Sequence, residues 1–226
     1  MIIVAHPDDE LLGLGATMHR LIRELEVTTR VIILGEGITA RSESRDSLLW
    51  EKELKIHREN IYEVQRIIGY HQMSIYDFPD NRFDTVALLD IIKVIEKEKG
   101  LFLPDIVFTH HGGDVNIDHQ RTFEAVITAC RPMEHESVRT IVTFETPSGT
   151  EWRASSDPRH FIPNFFCSVS TDNMEAKIKG MECYEFEKRP YPHPRSPEAL
   201  TIQAQRWGVA VGVDYAEAFY IVRAVN

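Results

Sequence analysis

The sequence predicts an α/β fold: one domain over residues 1–226, with a mostly parallel sheet and helices on both of its faces. Three observations carry that expectation. Short apolar, β-branched runs alternate along the chain with amphipathic stretches of helical length, the pattern of a parallel sheet. Two of these runs, residues 1–5 and 105–110, stop abruptly in clusters of titratable side chains just before a helix begins. Ligands of open α/β sheets bind at such strand ends. Finally, 226 residues, 43% of them hydrophobic and 27% charged, are enough for one sizeable core.

The elements follow in order. Ile2, Ile3 and Val4 read as a buried strand, which Pro7 ends because it cannot continue a sheet ladder. Asp8 and Asp9 suit the cap and first turn of a helix over 9–25. Residues 27–34 are a second strand, broken by Gly35-Glu36-Gly37. A polar loop over 38–47 carries Arg41 and Arg45, and a helix over 48–68 closes at Gly69. A short strand over 73–77 leads to a Pro-Asp-Asn turn, with Asp84 capping a helix over 85–99 that Gly100 stops. The strand 105–110 runs into His110-His111-Gly112-Gly113-Asp114-Val115-Asn116-Ile117-Asp118-His119, and a helix starts near His119. Strands over 138–145 and 165–170 follow, separated by a long connection with Trp152. A helix over 171–188 is capped by Thr171 or Asp172. Tyr191-Pro192-His193-Pro194 is a stiff turn, Pro197 opens a helix to about Val211, and residues 217–222 close the chain as a strand.

Several function classes are disfavoured at once. With 25 basic and 35 acidic residues the net charge is −10, which argues against a nucleic-acid groove. Cys130, Cys167 and Cys183 are widely spaced and form no CxxC pair, so they read as reduced thiols of a cytoplasmic protein. No stretch is apolar over the length that crosses a membrane, and the apolar start is too short and lacks the basic flank of a signal peptide. Gly13-Leu-Gly15 lies inside a helix and lacks the third glycine of dinucleotide spacing, which leaves NAD weakly supported. A homo-oligomer is compatible with the sequence.

The two titratable turns carry the chemistry. In a doubly wound sheet the first and fourth strands can flank the switch point, which would bring His6 beside His119. His6, Asp9 and His119 then supply two imidazoles and a carboxylate, with a coordination position left open, as in catalytic zinc sites; iron(II) fits the same donors. Asp8, next to a ligand but pointing differently, is the expected general base. Asp118 or Asp114 would orient the imidazole of His119. Other histidines, His57 among them, read as surface or satisfied core residues.

His6-Pro-Asp-Asp-Glu10 after a strand resembles the signature of the LmbE-like/PIG-L superfamily of zinc-dependent N-acetylsugar deacetylases. Asp114-Val-Asn-Ile-Asp118-His119 resembles its second motif, and Phe161-Ile-Pro-Asn164 and Ala216-Glu-Ala-Phe219 resemble later landmarks. The resemblance implies a Rossmann-like fold, zinc on His6, Asp9 and His119, Asp8 as base, and removal of acetate from an N-acetylated amino sugar or its conjugate. It also implies a substrate contact for Arg58. Many members read His-x-x-His in the second motif, where this chain has Asn116, which leaves Asn116 as a structural residue or an oxyanion donor. The acid's work then falls to His193, with His110 as second choice. Arg41, Arg45, Arg195 and Trp152 lie in loops that could line a sugar site, the arginines facing a phosphate or carboxylate.

Overall fold

A computed structural model describes residues 1–42 and 48–225 of the chain. Seven strands form a single sheet: β1 (Ile2–Val4), β2 (Arg30–Gly35), β3 (Gln72–Phe78), β4 (Ile106–His110), β5 (Thr140–Phe144), β6 (Phe165–Val169) and β7 (Tyr215–Ala224). Their spatial order is β3-β2-β1-β4-β5-β7-β6. The first five strands run parallel, and β7 lies antiparallel between β5 and β6. β1 and β4 are neighbours, with Ile2 opposite Phe108, so the sheet reverses its winding between the two titratable turns.

Strand alternation divides the core in two. Ile2 and Val4 pack with Leu11, Leu12, Leu14 and Met18 of α1 (Asp9–Leu25) and with Ile61, Val64 and Ile68 of α2 (Glu51–Ile68). Ile3 and Ala5 point the other way. They meet Ile91, Ile92 and Ile95 of α3 (Leu88–Phe102) and Ala125 and Val126 of α4 (Ile117–Ala129). Two further helices, α5 (Thr171–Cys183) and α6 (Pro197–Val211), complete the first layer. Each fully buried aliphatic side chain here is worth roughly 1.5–3 kcal/mol. Helices on both faces of a mostly parallel sheet are what the hydrophobic pattern predicts.

Three element ends differ from the sequence expectation. Gly100 does not stop α3; the helix continues to Phe102, and Leu103 takes the left-handed C-cap conformation, followed by Pro104. Asp84 is not its cap, because residues 83–85 form a separate 3-10 turn and the helix starts after Ala87. α5 ends at Cys183 rather than near 188, and its cap is Ser170, whose hydroxyl accepts the Asn173 N–H in a capping box. The early stop frees residues 184–196 to cross the strand ends.

α1 has the expected bounds but not the expected regularity, because Leu14 leaves helical geometry at φ −153. A buried ion pair repairs the break. Glu217 of β7 accepts the N–H groups of Ala16 and Thr17, and Lys177 of α5 bonds both the Leu12 carbonyl and Glu217. The Ala-Glu-Ala-Phe landmark near the C-terminus therefore serves the helix that follows the first motif.

His57 was expected to be exposed or satisfied and is neither. It is 1% exposed, and among the described residues neither ring nitrogen has a hydrogen-bond partner. Tyr184 and Phe186 meet its ring edge-on. Burial, with smaller contributions from neighbouring charges, pushes its pKa down to about 4 from the usual 6.5. The folded protein thus keeps His57 neutral, while the unfolded chain takes up a proton below pH 6.5. Stability should fall as pH drops from 6.5 to about 4, by up to about 3 kcal/mol from this group. His57→Met should flatten that acid limb when urea unfolding is compared at pH 7 and pH 5; an unchanged slope would remove His57 as its source.

Candidate active site

The site begins where β1 ends. The His6 N–H donates to Asp9 Oδ2 at 2.8 Å, closing a tight turn around Pro7. Asp8 is left-handed, with φ 98 and ψ −27, a conformation that costs a non-glycine residue about 1–3 kcal/mol. That single inverted residue separates the two adjacent aspartates. Asp9 Oδ2 faces the imidazoles of His6, His110 and His119, each at 3.4 Å. Asp8 Oδ2 instead meets Arg195 Nη1 at 3.2 Å and makes no helix-capping bond. Glu10 holds the strained residue in place. It is fully buried, its Oε2 accepts the Asp8 N–H at 3.1 Å, and its Oε1 accepts the Tyr184 hydroxyl at 2.6 Å.

His6, Asp9 and His119 each offer a donor atom, and these atoms lie within 4.8 Å of one another. The far side of each imidazole is braced by a different carboxylate. His6 Nε2 lies 2.9 Å from Asp118 Oδ2, and His119 Nδ1 lies 3.1 Å from Asp114 Oδ2. Of the two candidates for orienting His119, Asp114 does so, while Asp118 supports His6. Both braces are anchored: Asp118 Oδ1 accepts the Phe83 N–H, and Asp114 accepts the Thr150 hydroxyl and the Asn116 N–H. This leaves His6 Nδ1 and His119 Nε2 turned toward Asp9, the arrangement a metal-ligating histidine needs. Burial opposes charge on His119, but Asp9 and Asp114 outweigh it and hold its pKa at about 9. The centre is anion-rich, and the residues fit a divalent cation. His6, Asp80 and Asp118 form a second group of close donors. Its carboxylates, however, are already taken up by Phe83, Ala40 and Asn81.

The cleft over these residues encloses about 280 Å³ and is lined by both turns and by the segment after α5. Asp8, Asn116, Arg41, Arg195 and His193 all reach it. Asn116 is the N-cap of α4: its Oδ1 accepts the N–H groups of Asp118 and His119, and its Nδ2 donates to Asn81. Its carbonyl is thus committed to the helix that carries His119. His110 does not line the cleft. It is fully buried, stacks on His119 at 3.9 Å, takes the Ala5 N–H on Nε2 and faces Thr146 Oγ1 with Nδ1. With both nitrogens engaged, it has no proton for a leaving group. His193 Nδ1 accepts the Arg195 N–H at 3.2 Å, which puts its own proton on Nε2. Burial, Arg195 and Arg189 lower its pKa, which favours the neutral form with its proton on Nε2.

Arg58 does not reach this cleft; it lines a separate hollow beyond Pro7, beside His57. Trp152 is exposed and lies outside the cleft wall. Arg45 lies outside the described residues. Two functional positions were missed from sequence. Asp80 sits at the end of β3, where the strand-end rule could have found it. Glu187 sits in what read as continuous helix, and it pairs with both Arg41 and Arg195.

Glu10→Gln tests the role of the buried acid. An amide retains only one oxygen to serve both Tyr184 and the Asp8 N–H, so the Asp8 turn should loosen. Turnover should fall about tenfold or more, in line with the sensitivity of catalytic groups to small displacements, while metal content holds. Equal loss of metal and activity would show Glu10 to be a general structural residue instead.

Comparisons with known proteins bear on the family and the fold. The uncharacterized deacetylase YaiS of Escherichia coli K12 is 29% identical over 193 residues, covering 80% of this chain and 88% of that protein. N,N'-diacetylchitobiose deacetylase of Pyrococcus horikoshii superimposes with a TM-score of 0.76 at 21% identity, covering 98% of this chain and 82% of that one. The 4-carboxy-2-hydroxymuconate hydratase GalB of Pseudomonas putida KT2440 superimposes with a TM-score of 0.74 at 20% identity, covering 100% and 96%. The two structural likenesses establish the fold. The PIG-L family model, GlcNAc-PI de-N-acetylase, matches residues 1–130, the stretch that holds both titratable turns, and the chain belongs to that family.

Proposed function

We propose that the protein hydrolyses the acetamide of an N-acetylated amino sugar of the N-acetylglucosamine type, or of its conjugate, releasing acetate. Membership of the family makes the chain a deacetylase, a hydrolase of an amide bond. One observation supports the finer reading above the others. Three converging donors, His6, Asp9 and His119, lie beside a separate carboxylate, Asp8, in a cleft of about 280 Å³. We assign zinc to the three donors, with iron(II) compatible with the same set. The three cysteines are free thiols, which supports a cytoplasmic setting. Among the described residues no helix is long and apolar enough to cross a membrane.

A divalent ion held by His6, Asp9 and His119 would polarise the acetyl carbonyl and ease deprotonation of the attacking water. Asp8 takes that proton. Burial raises the Asp8 pKa well above the usual carboxylate range against the pull of Arg195, which suits a group that must accept and then return a proton. Arg195 fixes the carboxylate through Nη1 and is itself fixed by Ser148 Oγ on Nε. His193 presents its Nε2–H to the oxygen that gains charge as the carbonyl becomes tetrahedral. Asp8, now protonated, delivers the proton to the departing amine. Arg41 and Asn116 shape the cleft wall where the sugar would lie.

Asp8→Ala should keep stoichiometric metal and lose about 10²–10⁴-fold in kcat. His119→Ala should lose both metal and activity. His193→Ala should cost about a hundredfold in kcat. Metal analysis combined with acetate release from N-acetylglucosamine derivatives reads all three. Near-normal turnover in Asp8→Ala would overturn its assignment as base, and unchanged kcat in His193→Ala would remove that residue from the mechanism. Acetate released only from acylated amines that are not sugars would identify a different amidase. A protein without metal, inactive after zinc addition, would be a binding module.

A further inference from the structure

Among the described residues three arginines reach the cleft, Arg41, Arg189 and Arg195. Taken singly, each suits an anionic group on a substrate. The structure commits all three elsewhere. Glu187 Oε1 accepts from Arg41 Nη2 at 2.6 Å, and its Oε2 pairs with Arg195 Nη1. Arg195 also holds Ser148 and Asp8. Arg189 donates to the backbone carbonyls of Phe186 and Lys188 at 2.7 and 2.9 Å. Glu187 is only 5% exposed, so its carboxylate is held away from water, while Arg41 and Arg195 keep a solvent-facing side. Among the described residues four carboxylates, Asp8, Asp9, Asp80 and Glu187, line the cleft with the three guanidiniums.

We propose that Glu187 determines specificity at this cleft: by occupying Arg41 and Arg195, it directs the site to electrically neutral amino sugars and against phosphorylated or carboxylated ones. The inference rests on the deacetylase reading and names its substrate class. A phosphate or carboxylate entering beside Arg41 must displace a buried carboxylate or lie next to it. Specificity here comes from a repulsive element as much as from contacts with the favoured substrate. Stripping a buried carboxylate of its cationic partner, or setting a second anion beside it, is costlier than losing a contact between two exposed groups. The placement depends on the early end of α5, since a helix continued to 188 would not lay Glu187 between two arginines that come from different loops.

The test compares the zinc-loaded wild type, Glu187→Gln and Glu187→Gln/Arg41→Gln on methyl N-acetylglucosaminide and on N-acetylglucosamine 6-phosphate. Acetate release gives kcat/KM. Calorimetry with methyl glucosaminide and glucosamine 6-phosphate gives binding without turnover. The wild type should favour the neutral sugar by at least about tenfold, and Glu187→Gln should shift the ratio about a hundredfold toward the phosphate, the scale of freed charge-assisted hydrogen bonds. Removing Arg41 in that background should take back much of the shift. An equal fall on both sugars, with an unchanged ratio, would make Glu187 merely structural and overturn the proposal. So would a wild type that prefers the phosphate, a result obtained even if the variants fail to fold. If no protein releases acetate from either sugar, the deacetylation reading fails separately, and the calorimetric ratios alone decide the role of Glu187.

Discussion

The left-handed backbone of Asp8 is the constraint on which the rest of the site depends. Two adjacent aspartates at a helix start would ordinarily share one environment and repel each other. Inverting one residue sends Asp9 into a ring of imidazoles and Asp8 toward Arg195. Strain of this kind persists only where surrounding structure over-determines it. Here the Asp8 carbonyl accepts the Leu11 and Leu12 N–H groups, Glu10 accepts the Asp8 N–H, and Tyr70 and Tyr184 fix Glu10. Glu10 looked like an ordinary first-turn carboxylate in the sequence. In the fold it is the inward anchor of the motif, and burial raises its pKa to about 7.

A site built this way gathers more negative charge than a structural turn tolerates, and the surrounding elements distribute it. Asp118 and Asp114 back separate histidines from the loop and first turn of α4, and Asn116 caps that helix between them. Arg195, shared between Asp8 and Glu187, supplies the balancing positive charge from a segment almost two hundred residues away in sequence. The same economy appears behind α1, where Lys177 and Glu217 satisfy the groups exposed by the break at Leu14. Each buried charge is paired or hydrogen-bonded, as burial requires.

Much of the layout was legible because it is written in local pattern. Apolar β-branched runs gave the strands, and the strand order that follows from alternating helices brought His6 beside His119. The cluster of His6, Asp9 and His119 was legible for the same reason: titratable residues straight after a buried strand have few purely structural uses. What stayed hidden depends on long-range partners. Nothing local distinguishes Glu187 from a solvated helical glutamate, or reveals that His57 loses water without gaining a hydrogen bond. The end of α3 at Leu103 rather than Gly100 shows the same limit at small scale, since the following proline and the left-handed residue, rather than glycine propensity, decide it. Arg58 lies on α2 facing another hollow, because the turn of that helix and the loop at Pro7 place a wall between it and the cleft.

The fold by itself does not choose the reaction, since a hydratase and a deacetylase share it at similar TM-scores. Chemistry is decided by what stands at the ends of β1, β3 and β4 and in the segment after α5. Residues 1–130 supply the three candidate metal donors and the adjacent Asp8. The later segment supplies Arg195, which bonds Asp8, His193, which lines the cleft, and Glu187, which pairs with two arginines of the cleft wall. The candidate metal donors and the glutamate that pairs with the arginines of the cleft wall therefore come from different parts of the chain. The His-Pro-Asp-Asp-Glu motif gathers candidate donors on one side of the cleft, whereas the turn between α5 and α6 closes the cleft from the other side with residues no local motif announces.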